Sequence, residues 1–273
     1  MKFITAGDVT LHMEYVEGPP AAPLLVFVNA LGCDLRIWDD VVAALNGVAP
    51  IVRYDKRGHG LSDTGTPPFT MDDHAADLGV LIDEFDPRRA VICGLSIGGL
   101  VAQALCLARP DRVDGLILCD TGARIGTADQ YDDRIADVMS NGMAPFAGRQ
   151  MMRWFSEGFR ASHPEAVAGA RNMLSRQPPD GYIGSCAAIR DADYGDRLGE
   201  IRKPVLCLAG EHDRSTPPEQ MRVLAESLPD ARFLEIAGAG HLPCIEAPGI
   251  VAGMIDGFLR QFAMSEAAGE PVR

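Results

Sequence analysis

At 273 residues, with 47% hydrophobic and 23% charged side chains, the chain can bury one large core, which excludes a disordered or fibrous protein. Its formal charge of -13, from 25 Lys and Arg against 38 Asp and Glu, repels nucleic acid and anionic membrane surfaces, so neither is expected as a partner. Seven cysteines with no Cys-x-x-Cys pair exclude a disulfide scaffold and read as buried, reduced side chains.

The first residues reach Asp8 before an apolar leader could form, and no run approaches the ~20 apolar residues of a membrane span, so a cytoplasmic location is expected. Short apolar, β-branched runs at residues 24–28, 50–54, 90–93 and 113–119 predict strands. Between them Trp38, Val41, Val42 and Leu45 follow helical spacing, as do Met71, Ala75, Leu78, Ile82 and Phe85. A third helix buries Leu100, Val101, Ala104, Leu105 and Ala108 and stops at Arg109-Pro110, because proline cannot donate to the helical ladder. This strand and helix alternation predicts an α/β fold with a mostly parallel central sheet flanked by helices.

Helical periodicity broken by Gly and Pro replaces the strand pattern over residues 122–200, which predicts an inserted helical cap. Strands resume at 204–209 and 232–236, separated by a helix opening at Thr216-Pro217-Pro218, and a closing helix spans 250–262. The expected division is a core of residues 1–121 and 201–265, a cap of 122–200, and a flexible tail of 266–273, with no internal repeat.

Gly94-Leu95-Ser96-Ile97-Gly98 lies between an apolar strand and an apolar helix, the context in which Gly-x-Ser-x-Gly forms a nucleophile elbow. Such a turn strains the serine backbone and needs small neighbours, which Gly94, Gly98 and Gly99 supply. A glycine-rich turn of this kind also binds phosphate in other proteins, but neither Gly-x-Gly-x-x-Gly nor a Walker lysine is present. A serine nucleophile needs a base, and among six histidines His241 follows the last strand, where its loop reaches the same sheet edge. His59 precedes Ser96 and is expected to shape a loop; His212 adjoins the acid, and His12, His74 and His163 have no motif around them. Asp213, ahead of Ser215-Thr216-Pro217-Pro218, is the expected acid, with Glu211 directed to solvent. Its carboxylate would orient the imidazole without taking the proton. Backbone amides of Ile97, at the helix start, and of Leu31, or alternatively Ala30, in the loop after the first central strand, are the expected oxyanion donors.

With these residues in place, the chain resembles the α/β-hydrolase superfamily over nearly its full length, and within it the 3-oxoadipate enol-lactonases. The resemblance is carried by Asn29-Ala30-Leu31-Gly32-Cys33-Asp34 followed by Ile37-Trp38-Asp39, by Tyr54-Asp55-Lys56-Arg57-Gly58-His59-Gly60-Leu61-Ser62, and by the elbow itself. The Arg57-Gly58-His59-Gly60 element is common to the superfamily. Narrower are residues 118–126, from Leu118-Cys119-Asp120-Thr121 to Ile125-Gly126, and Cys186-Ala187-Ala188-Ile189-Arg190-Asp191-Ala192-Asp193. The resemblance implies hydrolysis of 3-oxoadipate enol-lactone through an acyl-enzyme on Ser96, with no metal and no cofactor.

A small anionic lactone approaching so acidic a chain needs local cations. Residues 122–200 hold nine of the 22 arginines and no lysine against eleven acids, and Arg124, Arg153 and Arg190 are the candidates for its carboxylate. Trp154 and Trp38 are candidate pocket walls, although packing in a cap or core is the commoner fate of such aromatics. The same triad would serve a general carboxylesterase, lactonase or perhydrolase, and the fold also suits a non-catalytic small-ligand receptor. Serine at position 96 argues against dehalogenases and epoxide hydrolases, which carry aspartate there.

Overall fold

The computed structural model describes residues 1–87 and 89–268, and of residues 263–268 the backbone alone. Six strands follow the predicted runs: β3 (Leu24–Val28), β4 (Ile51–Tyr54), β5 (Ala90–Leu95), β6 (Gly115–Cys119), β7 (Val205–Gly210) and β8 (Ala231–Ile236). They lie parallel in the order β4-β3-β5-β6-β7-β8. All residues of β3, β5, β6 and β7 are buried, which is why these strands read as unbroken apolar runs.

Two strands were not expected. β1 (Lys2–Ala6) and β2 (Val9–Val16) form a hairpin turned at Gly7, whose φ is +58°, and β2 pairs antiparallel with β4. The signal was present in the alternation of buried Val9, Leu11 and Met13 with the polar side chains between them.

Helix α1 (Asp39–Ala44) packs against α11 (Pro248–Ala268), and α2 (Met71–Phe85) against α3 (Ile97–Ala108), while α9 (Pro218–Ser227) lies on β7 and β8. α10 (Pro243–Glu246) is a single turn between β8 and α11. The last helix runs to Ala268, so residues 266–268, expected in a tail, are helical; Ala and Glu, read as tail composition, also favour helix. Residues 269–273 lie outside the described residues. Among those described, no helix is long and apolar enough to cross a membrane.

Between β6 and β7 the chain forms α4 (Ala128–Asn141), α5 (Met143–Trp154), α6 (Glu157–Ser162), α7 (Pro164–Ser175) and α8 (Pro179–Asp191). Thr127 caps α4 in a reciprocal box with Gln130. The Tyr194 amide donates to Ala123 O at 3.0 Å, closing the two ends of this insertion on each other. It is also pinned to the sheet side: a Cβ on Gly58 would lie 2.4 Å from Gly181 Cα, and the Gly60 amide donates to Gln177 Oε1 at 3.0 Å.

All seven cysteines are free and buried. Burial pushes the thiols of Cys106 up to about 11 and of Cys186 and Cys207 up to about 12, which keeps them protonated and unreactive.

Candidate active site

The carboxyl ends of β3, β5, β6, β7 and β8 deliver one loop each to the same sheet edge, where an open α/β sheet places its ligands. Ser96 stands between β5 and α3 with φ +59° and ψ -118°. A left-handed serine is strained by roughly 1–3 kcal/mol and persists only when its surroundings over-determine it. Here its amide donates to Cys119 O at 2.9 Å, while its carbonyl accepts from the Gly99 amide at 2.9 Å and the Thr121 hydroxyl at 2.7 Å. The flanking glycines are needed for space: a Cβ on Gly94 would lie 2.2 Å from Gly98 O, and one on Gly98 would lie 2.2 Å from Val28 O.

His241 follows β8, is 3% exposed, and is held by its own amide donating to Trp154 O at 2.9 Å. Its Nδ1 lies 2.8 Å from Asp213 Oδ2. Asp213, in the turn after β7, also accepts from the Ser215 and Thr216 amides at 2.6 and 3.2 Å and from the Thr216 hydroxyl at 2.7 Å. Burial raises this carboxyl, but the His241 charge and these hydrogen bonds outweigh burial and hold it below its usual range. An ionised Asp213 takes the proton-bearing Nδ1 and leaves Nε2 as the free lone pair, the tautomer a general base requires. Glu211 instead accepts from the Gly238 amide at 2.8 Å.

Leu31 and Ile97 carry the two amides expected to meet an oxyanion, and among the described residues neither amide has a hydrogen-bond partner. The loop bearing Leu31 is fixed from beneath. Asn29 donates to Tyr54 O at 2.8 Å and accepts from Trp38 Nε1 at 2.9 Å; Lys56 Nζ donates to Ala30 O at 3.0 Å; and the Gly32 amide donates to His59 Nε2 at 3.0 Å. Burial and the Lys56 charge push His59 well below its usual range, so it stays a neutral acceptor. Burial also pulls Lys56 down to about 8. Trp38 takes the core alternative, fully buried against Phe27 at 4.5 Å between ring centroids, and braces this loop.

Ser96, His241 and Leu31 line one cavity of about 240 Å³, roofed by Ile125, Tyr131, Gln150, Trp154, Tyr182 and Ile189. Of the candidate arginines, Arg153 lines it and donates to Arg214 O at 3.1 Å, beside Trp154. The other two point elsewhere: Arg124 lies 3.5 Å from Asp193, and Arg190 is held by Asp132 at 2.9 Å and Asp191 at 2.8 Å. Their carboxylate partners already occupy the fork that a substrate would need. A further arginine of the insertion, Arg134, does reach the cavity. It lines the cavity, partly buried, with its guanidinium 5.1 Å from the Tyr131 ring and 5.6 Å from that of Phe146, and among the described residues it forms no ion pair.

The description of the alpha/beta hydrolase fold matches the sequence over residues 23–248. The chain belongs to the α/β-hydrolase family. This α/β-hydrolase is 32% identical to 3-oxoadipate enol-lactonase 2 of Acinetobacter baylyi, over 95% of its own length and 96% of that protein's. It matches the crystal structure of the enol-lactonase from Burkholderia xenovorans LB400 with a TM-score of 0.90 and 33% identity, covering 95% of this chain and 100% of the other. A thermophilic esterase from Thermogutta terrifontis, solved with malate bound, matches with a TM-score of 0.89 and 30% identity over 96% and 99% of the two chains. The likeness to enol-lactonases carried by short segments therefore extends along the whole hydrolase.

Three residues of the α/β-hydrolase site escaped sequence reasoning. Arg134 is three residues after Tyr131 on α4, so a shared helix face was legible, but which face meets the cavity was not. Lys56 acts on the Leu31 loop through Ala30 O, a contact between positions 26 residues apart. Asp120, beyond β6, lies with Asp213 and His241 such that one ligand-type atom of each falls within 4.8 Å of the others. The trio does not fit a metal centre, because His241 Nδ1 and Asp213 Oδ2 already satisfy one another. What the arrangement can do is acyl transfer: a serine hydroxyl and an imidazole paired with a carboxylate line one cavity, with two amides free of hydrogen-bond partners among the described residues.

Proposed function

We propose that this hydrolase opens 3-oxoadipate enol-lactone to 3-oxoadipate, a step of the bacterial β-ketoadipate route of aromatic degradation. The observation that supports it is one small cavity lined by Ser96, His241 and Arg134, whose guanidinium has no carboxylate partner among the described residues. Such a cavity suits a compact ester that carries a carboxylate. The relatives point the same way, since two are enol-lactonases and a third holds malate.

In this reading Arg134 and Arg153 receive the carboxylate and set the lactone carbonyl over Ser96. His241 takes the Ser96 proton as Oγ attacks, Asp213 stabilises the imidazolium, and the Leu31 and Ile97 amides receive the oxyanion. The ring C–O bond then breaks. The departing group is an enolate, a weaker base than an alkoxide, so it leaves with little help from a general acid; it then takes up the His241 proton to become the ketone, which frees the imidazole to act as base again. Water, deprotonated by His241, attacks the acyl carbon, and Ser96 leaves with the proton returned.

Turnover of the enol-lactone by the purified protein, with kcat/KM well above that for neutral p-nitrophenyl esters of similar size, is the expected result. A clear preference for the neutral esters would make it a general esterase, and binding without product release would make it a receptor. Arg134→Met keeps the apolar stem on its two rings and removes the charge. It is expected to lower kcat/KM for the enol-lactone by about 10- to 100-fold, mostly through KM, because a charge-assisted pair contributes roughly 1.5–3 kcal/mol. Neutral esters should change by less than about threefold on the same charge argument.

A further inference from the structure

One ionisable side chain beside the Asp213–His241 pair has no part in the reaction as written. Asp120 follows β6 directly, is fully buried, and holds φ at +44°. Its amide donates to Leu208 O at 2.8 Å and its Oδ1 accepts from the Gly210 amide at 2.8 Å, so it is clamped between β6 and β7. Its Oδ2 is buried without a hydrogen-bond partner. A carboxylate oxygen of Asp120, one of Asp213 and a ring nitrogen of His241 all lie within 4.8 Å of one another.

Two carboxylates this close, shut away from water and facing one imidazole, do not both ionise. The donors decide which one does. Asp213 receives four, from His241, the Ser215 and Thr216 amides and the Thr216 hydroxyl, whereas Asp120 receives only the Gly210 amide. The charge therefore settles on Asp213 and a proton on Asp120.

We propose that Asp120 is a reserve acid: a proton-bearing carboxyl beside the Asp213–His241 pair that ionises and orients His241 when the charge of Asp213 is removed. It acts through His241 and is a positioning residue. The groups that face it are Asp213 and His241 from the loops after β7 and β8, Cys119 on its own strand and Cys244 on α10. Burial first, then the Asp213 charge, raise the Asp120 carboxyl well above the usual range, and the Gly210 amide opposes them only in part. Removing the Asp213 charge lifts the second of these, which brings ionisation of Asp120 down toward accessible pH.

The test compares Asp213→Asn with the double variant Asp213→Asn, Asp120→Asn across the pH range in which wild type is folded. Asp213→Asn should lose most activity near neutrality and regain it as pH rises, reaching at least about tenfold above the double variant, whose profile stays flat. Coincident profiles would overturn the reserve role. A second measurement needs no substrate and so stands or falls apart from the proposed lactonase activity. In difference infrared spectra at neutral pH, the carbonyl stretch of a protonated carboxylic acid should be present in wild type and missing from Asp120→Asn, which preserves shape and the Gly210 contact. Its absence from wild type would place charge, not a proton, on Asp120 and refute the proposal.

Discussion

Ser96→Ala is expected to lower kcat on any ester substrate by about 10⁶-fold while leaving the fold intact, by analogy with nucleophile removal in other serine hydrolases. The hydroxyl is the sole atom lost. The strained backbone at φ +59° is held by the bonds to Cys119, Gly99 and Thr121, none of which uses the side chain. A residual rate of about 10³–10⁴ over uncatalysed hydrolysis should survive, because the two oxyanion amides and the cavity remain. Active-site counting with a serine-directed phosphonate alongside steady-state kinetics checks this. Turnover within tenfold of wild type would remove Ser96 from its role.

Gly98→Ala should damage both stability and catalysis. Its Cβ would sit 2.2 Å from Val28 O and 2.8 Å from Val28 C, both backbone atoms, so relief requires α3 and β3 to separate. Overpacking of this kind costs about 3 kcal/mol. For a chain of this size that corresponds to a fall in Tm of roughly 6–12 °C. The catalytic effect has a separate cause. Gly98 adjoins Ile97, and Val28 lies three residues before Leu31, so this close approach sets the spacing of the segments that carry the two proposed oxyanion amides. Pushing the segments apart misplaces one donor, which typically costs about 10²–10³ in kcat. An alanine variant with wild-type Tm and wild-type kcat would mean that the elbow tolerates a side chain there.

The elements legible in the sequence were those whose identity depends on local backbone chemistry. Ser96 was visible because a strained strand-to-helix turn needs glycines around it, and Asp213 and His241 because each follows a strand at the same sheet edge. Arg134 was not visible, since its importance comes from which arginines already have partners: Asp193 holds Arg124, and Asp132 and Asp191 hold Arg190. The pairings of Arg124 with Asp193 and of Arg190 with Asp132 join residues far apart in the chain and are set by tertiary packing. Asp120 was hidden for the same reason, because its meaning lies in a neighbour 93 residues away in the chain, Asp213. The hairpin of β1 and β2 was legible in β2 by alternation, whereas β1, an edge strand with most of its residues exposed, carries little apolar signal. Trp38 met the commoner fate of an aromatic side chain, claimed by the core and tied there to Asn29.

Because every thiol lies within the packed interior, reagents that alkylate cysteine will leave the native protein unmodified. A covalent probe added to the folded chain therefore has a single nucleophile of consequence to find. Labelling stoichiometry becomes a direct census of competent molecules in a preparation, and the appearance of modified thiols becomes a gauge of how many have come undone.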